Sequence, residues 1–386
     1  MNRSNAISVC FGDHLWFGKG DGQLKTPESL KRRVEAWRDK LNASIIFWRE
    51  KRSRFRGHFY AAKGYKHPFR HAKVNWDDFA IAPQICHENG LRIYLYVTIF
   101  DEGWPLLKKK EREVSYHNSM HWQHVSTFSR FCKEYPEFTI HDRTGEIKQW
   151  GVLSLSYPEV RLYFINKYLG LLNGYDFDGL FICLRSQSKP SDFADQYGFN
   201  EPIRKEYIVR CGKDICKEDF DLEKWRDLQG EYLTIFLGEL RERTKSRGFK
   251  IGIGAPRGDI IGPPLGNWRL HWRKWVTEDL IDELIINQSP SQCPSLWHQL
   301  WPMHRGYGYI QNYIDDYNML KLDKQLDEEY GPIIMKNRTN LFVARQWQQR
   351  NEEREQELIQ HPAVNGLVFS SFRFDNPDVI KLKEWN

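Results

Sequence analysis

The chain has 386 residues, 40% hydrophobic and 15% aromatic, enough to fill one large α/β barrel or two average domains. Its 57 basic and 51 acidic residues leave a net charge of +6, and the interspersed signs are those of an ordinary soluble surface. No apolar run reaches the ~18 residues of a membrane span, the N-terminus lacks the apolar region of a signal peptide, and the cysteines lack metal-ligand spacing. Free thiols in a cytoplasmic protein are expected, or a secreted one if a leader was removed.

Short apolar runs recur along the chain with amphipathic segments between them. AISVCF (6–11) reads as a first strand. Thr26-Pro27-Glu28 then opens a helix with a cap, a first-turn proline and an early acid, placing Leu30, Val34, Trp37 and Leu41 on one face. ASIIFW (43–48) is the second strand; a helix through Phe79, Ala82 and Ile85 stops at Gly90, and LRIYLYVTIF (91–100) is the third. Pro158 starts a helix that Gly174 ends, and FDGLFICL (177–184) follows as the fourth. The helix from Leu222 leads to FKIGIG (249–254), the fifth, and WRKWVTEDLIDELIIN supplies a helix and a sixth strand ending near Asn287. GYGYIQNY (306–313) and PIIMKN (332–337) compete for the seventh; VNGLVFSSF (364–372) is the eighth.

Eight buried strands with helices between them, and no turn-only hairpin signal, predict an α/β chain: a single (β/α)8 barrel over 1–386 with an extended loop after strand four. No phosphate-cradling glycine loop follows a strand, so no nucleotide cofactor is expected, and with neither cysteines nor histidines at metal-ligand spacing no metal is expected either.

In such a barrel the ligand meets residues just past the C-terminal strand ends. Asp13, His14 and Trp16 follow strand one, Arg49 and Glu50 strand two, and Asp101, Glu102 and Trp104 strand three. Arg185, Ser186 and Ser188 follow strand four, and Arg373 strand eight. Donors and acceptors beside indole rings suit a hydroxyl-rich ring with an apolar face, so a carbohydrate is the expected partner. The sequence does not fix an oligomeric state.

YGFNEPIRKEY (197–207) contains Asn200-Glu201-Pro202, a tripeptide in which many sugar-cleaving barrels carry a proton-donating glutamate. Helix physics alone explains it, and is the first reading: Asn200 as N-cap, Glu201 and Pro202 in the first turn. In the alternative, the loop after strand four folds over the mouth and brings Asp195, Tyr197, Asn200 and Glu201 to the substrate. Aromatic neighbours would then raise the Glu201 pKa, with Asp101 or Glu102 as partner carboxylate.

Four stretches, DGLFICLRSQS, WVTEDLIDELIINQ, HPAVNGLVFSSFR and HDRTGEIKQWGVLSLSYPEVRLYF, resemble the bacterial glycosyl-hydrolase-like family ten, over most of the chain from about residue 90. The resemblance implies a (β/α)8 fold and action on a carbohydrate. Such families typically end the fourth strand in a catalytic aspartate, where this chain has Cys183. A glycoside hydrolase is therefore the first expectation and a catalytically inactive carbohydrate-binding barrel the second. A nucleic-acid binder, suggested by the basic pI with interleaved aromatics, is the third.

Overall fold

The structure is a computed structural model and describes residues 3–49, 59–61, 75–100, 102, 127–184, 195–261, 268–286, 319–345 and 351–371. Eight short apolar segments are extended: β1 (Asn5–Cys10), β2 (Ala43–Arg49), β3 (Arg92–Thr98), β4 (Gly179–Cys183), β5 (Lys250–Gly254), β6 (Glu283–Ile286), β7 (Asn340–Arg345) and β8 (Val364–Ser370). All pair in parallel, in the closed order β1-β8-β7-β6-β5-β4-β3-β2. The chain is thus a (β/α)8 barrel, as its alternation of strands and helices predicts.

Burial on both faces explains why the strands read as nearly unbroken apolar runs. One face of each strand fills the bore, where the Phe47 and Phe181 rings stack at 4.1 Å and Tyr96 meets Phe181 edge-on at 4.9 Å. The other face packs on helices that include α1 (Phe11–Phe17), α2 (Pro27–Leu41), α3 (Asp78–Glu88) and α4 (Pro158–Gly174); α5 (Glu201–Cys211) packs instead on the start of α6 (Leu222–Lys245), whose later turns meet the strands. Local chemistry sets their ends. Thr26 and Ser29 form a reciprocal capping box at the start of α2, and Asp221 accepts from the Glu223 and Lys224 amides at the start of α6. At the bottom of β4, Asp178 accepts from the Ile93 amide at 2.7 Å and pairs with His87 of α3 at 3.0 Å, a strand-entry tie.

Two expectations change. Of the two segments competing for strand seven, 306–313 lies outside the described residues, and Ile333 and Ile334 belong to the short helix Gly331–Ile334, with Pro332 in its first turn. The strand is instead the apolar run NLFVAR of β7. Hairpins also exist despite the absence of a two-residue turn signal. Thr139–His141 pairs antiparallel with Lys148–Leu153 around Asp142–Gly145, where Gly145 takes φ +78° and Asp142 accepts from Thr144 and the Ile147 amide. Phe59–Ala61, after β2, pairs with Thr127–Ser129, after β3, and Ile260–Ile261 pairs with Trp268–Arg269 after β5.

Candidate site at the barrel mouth

Strand alternation decides what the bore presents at its C-terminal end. On the same faces as the bore-facing Ala6, Phe47, Tyr96 and Val368, the last residues of β1, β2, β3 and β8 are Cys10, Arg49, Thr98 and Ser370. Cys10 lies beside Arg49 across β1 and β2, and Thr98 beside Cys183 across β3 and β4. The Arg49 guanidinium, 7% exposed, sits 5.4 Å from the centre of the Tyr96 ring, which is itself buried. A cation over an aromatic face is favourable and presents a planar fork of donors. Hydroxyls and thiols complete this floor, and Cys183 is fully buried. Hydrogen-bond donors of this kind suit oxygen-rich ligands; proton transfer requires carboxylates from elsewhere.

Glu283 is the one carboxylate carried by any barrel strand. It faces the bore at the opposite, N-terminal end of β6, where Tyr94 donates to its Oε1 at 2.8 Å and its Oε2 has no hydrogen-bond partner. Sequence reading missed it because EDLIDELIIN runs from helix into strand without a break. Its parity with the bore residue Ile285 is the signal that marks it.

Of the expected carboxylates, Glu201 and Glu102 are each engaged by other side chains, and Asp101 lies outside the described residues. Glu201 stands in the first turn of α5 with its side chain 65% exposed and paired to Lys205 at 2.7 Å. The Lys205 ammonium holds its carboxyl below the usual range, the opposite of what a general acid needs. Helix-start chemistry therefore accounts for Glu201. Glu102 is 1% exposed and engaged on both oxygens, by Lys167 of α4 at 2.7 Å and by the Tyr163 hydroxyl at 2.7 Å. This buried pair anchors the loop after β3 to α4 and leaves Glu102 no surface for a substrate.

Other expected ligand contacts also lie inside the protein. Tyr197 is 2% exposed and Asn200 is fully buried, its Nδ2 donating to the Thr139 carbonyl at 3.1 Å. The Gly198 and Phe199 amides donate to the His141 carbonyl, so 198–200 is stitched to the hairpin. His14 is fully buried: its Nδ1 donates to the Gly22 carbonyl at 2.7 Å, so its Nε2 accepts from the Ser371 hydroxyl at 2.7 Å. It fastens the end of β8 to the turn after α1. Asp195 is half-buried, and Asp13 and Trp16 belong to α1. Glu50, Asp101, Trp104, Arg185, Ser186, Ser188 and Arg373 lie outside the described residues.

Among the described residues no group of three or more His, Cys, Asp or Glu is placed to hold a metal ion, and no helix is long and apolar enough to cross a membrane.

Fold and mouth together define the class: a parallel (β/α)8 barrel with a polar, aromatic C-terminal floor. No protein-family model matches the chain, and no curated protein does. Among solved structures it is similar to α-L-fucosidase isoenzyme 2 from Paenibacillus thiaminolyticus, at 10% identity and a TM-score of 0.49 over 99% of this chain and 49% of that one. It is also similar to the GH36 α-galactosidase AgaA from Geobacillus stearothermophilus, at 11% identity and a TM-score of 0.46 over 99% and 42%. A third likeness is to the noncanonic maltogenic α-amylase AmyB from Thermotoga neapolitana, at 11% identity and a TM-score of 0.43 over 97% and 69%. The chain spans about half the length of the first. These are likenesses of fold; membership of family ten is not shown.

Proposed function

We propose that the chain is a glycoside-hydrolase-like protein that takes a saccharide over the C-terminal mouth of its barrel and cleaves a glycosidic bond by carboxylate chemistry. The observation that supports it is the Arg49–Tyr96 floor, ringed by Cys10, Thr98 and Ser370, at the end of the bore where barrel enzymes bind. In this reading Asp101, three residues beyond β3, supplies the carboxylate, and Trp104, Arg185, Ser186, Ser188, Glu50 and Arg373 wall the sugar. Glu102 and Glu201 have no catalytic part in it.

A second reading, a sugar-binding barrel without turnover, is favoured by Cys183 standing where related families carry an aspartate and by the lack of a strand carboxylate at this end among the described residues. One experiment separates the two. The purified chain is screened on aryl-glycosides and oligosaccharides for product release, with calorimetry in parallel. Turnover that falls at least ~100-fold in Asp101→Asn and is unchanged in Glu201→Gln is the expected result. Full turnover by Asp101→Asn refutes the assignment of Asp101. Saccharide binding without turnover supports the second reading, and the absence of both refutes the carbohydrate proposal.

A further inference from the structure

The N-terminal end of the bore holds three polar side chains that play no part at the mouth. Arg92 and Tyr94 project from β3 and Glu283 from β6, across the barrel from one another. The Arg92 guanidinium donates to the Tyr94 hydroxyl at 3.0 Å, and that hydroxyl donates to Glu283 Oε1 at 2.8 Å. Arg92 is half-buried and its nearer nitrogen stands 3.6 Å from the same oxygen. Glu283 is 1% exposed, and its Oε2, without a hydrogen-bond partner, faces Gly252 of β5. A carboxyl in an apolar bore with one oxygen satisfied and one not is better tolerated protonated than charged.

We propose that Glu283, Tyr94 and Arg92 form a proton-dependent tie across the N-terminal end of the barrel, so that the fold is firmest with the Glu283 carboxyl protonated and loosens when it ionises. The charged and titratable groups around Glu283 are Arg92 and Tyr94 from β3, Lys250 from β5 and Asp282 beside it. The nearby bore residues of β4 and β7 are Phe181 and Phe342, which do not titrate. Burial is the largest influence and, although Tyr94 and Arg92 oppose it, the carboxyl is pushed up to about 7. Burial and the facing carboxyl likewise push the Tyr94 phenol up, so it remains a donor.

The direction of the pH dependence follows. An unfolded glutamate releases its proton near pH ~4.3, so between there and about 7 the folded chain holds one proton more than the unfolded chain. The stability contributed by the protonated carboxyl is whole below that window. It is lost as pH rises through the folded value, and the curve then levels off.

The test is urea and thermal unfolding of the full chain between pH 5 and 9, for the wild type, Glu283→Gln and Tyr94→Phe. The wild-type midpoint is expected to fall as pH rises from 5 to about 7 and to level off above it, and Glu283→Gln to flatten that fall and unfold at a higher midpoint at pH 8. Tyr94→Phe removes the donor to the anion and is expected to move the fall to higher pH. If Glu283→Gln does not fold, Tyr94→Phe and the infrared carbonyl band of a buried protonated carboxyl in the wild type, lost between pH 6 and 8, decide the matter. A wild-type slope kept in Glu283→Gln, or an unmoved fall in Tyr94→Phe, overturns the proposal.

Discussion

Replacing Lys167 with methionine is expected to lower the stability of the fold by ~3–5 kcal/mol, because it strands the Glu102 carboxylate away from water. Lys167 and Glu102 are 3% and 1% exposed at the side chain, joined at 2.7 Å. Tyr163 occupies the second carboxylate oxygen, so the pair is satisfied only as a unit. The Lys167 ammonium also lies 5.4 Å from the Tyr163 ring centre and 5.8 Å from that of Phe164, and methionine keeps much of that packing while deleting the charge. The double variant Lys167→Met, Glu102→Gln removes both charges and is expected to recover most of the loss. Urea unfolding measures all three. A single variant within about 1 kcal/mol of the wild type would mean that the pair contributes little and that Glu102 is held by its backbone bonds to Gly151 and Ser129.

Gly366→Ala is expected to cost on the order of 3 kcal/mol, through the seam where β8 meets β1. A β-carbon at Gly366 falls 1.9 Å from the Ser4 carbonyl oxygen and 3.0 Å from the Phe342 ring. The first obstacle is backbone, which cannot swing aside as a side chain would. Two hydrogen bonds close the same seam: Ser4 donates to the Asn365 carbonyl at 3.2 Å, and the Leu367 amide to Asn5 Oδ1 at 2.9 Å. Pushing the strands apart strains both. Gly170→Ala is the matching control, since its β-carbon meets nothing within 4 Å on the exposed face of α4. There the substitution is expected to stabilise by ~0.5–1 kcal/mol through helix propensity. Thermal unfolding of the two variants checks the contrast, and equal midpoints would show that the seam yields.

The barrel was legible because most of its strands are short apolar runs closed off by Gly, Asp or Asn, with helices whose caps are written in side chains such as Thr26 and Asp221. Strand seven escaped because a short apolar run fits helix and strand equally: Ile333 and Ile334 continue a helical turn while the plainer NLFVAR enters the sheet. The helix-start reading of Asn200-Glu201-Pro202 was legible for the same local reason, although Asn200 spends its amide on Thr139 rather than on a cap bond. Tertiary burial was not legible. Nothing in the neighbourhood of His14, Glu102 or Tyr197 announces that each is enclosed by segments distant in the chain, such as Ser371 and Lys167. Glu283 shows the converse, since a carboxylate inside a bore differs from one on a helix surface only by the parity of its strand.

Antiparallel pairing between Phe59–Ala61 and Thr127–Ser129 ties a segment that follows β2 to one that follows β3 through backbone hydrogen bonds, as two halves of one ribbon. Anyone grafting or recombining segments to retarget the mouth must move both halves together. Exchanging one alone leaves an unpaired edge on the other, and the mismatch would surface as misfolding rather than as a change of specificity.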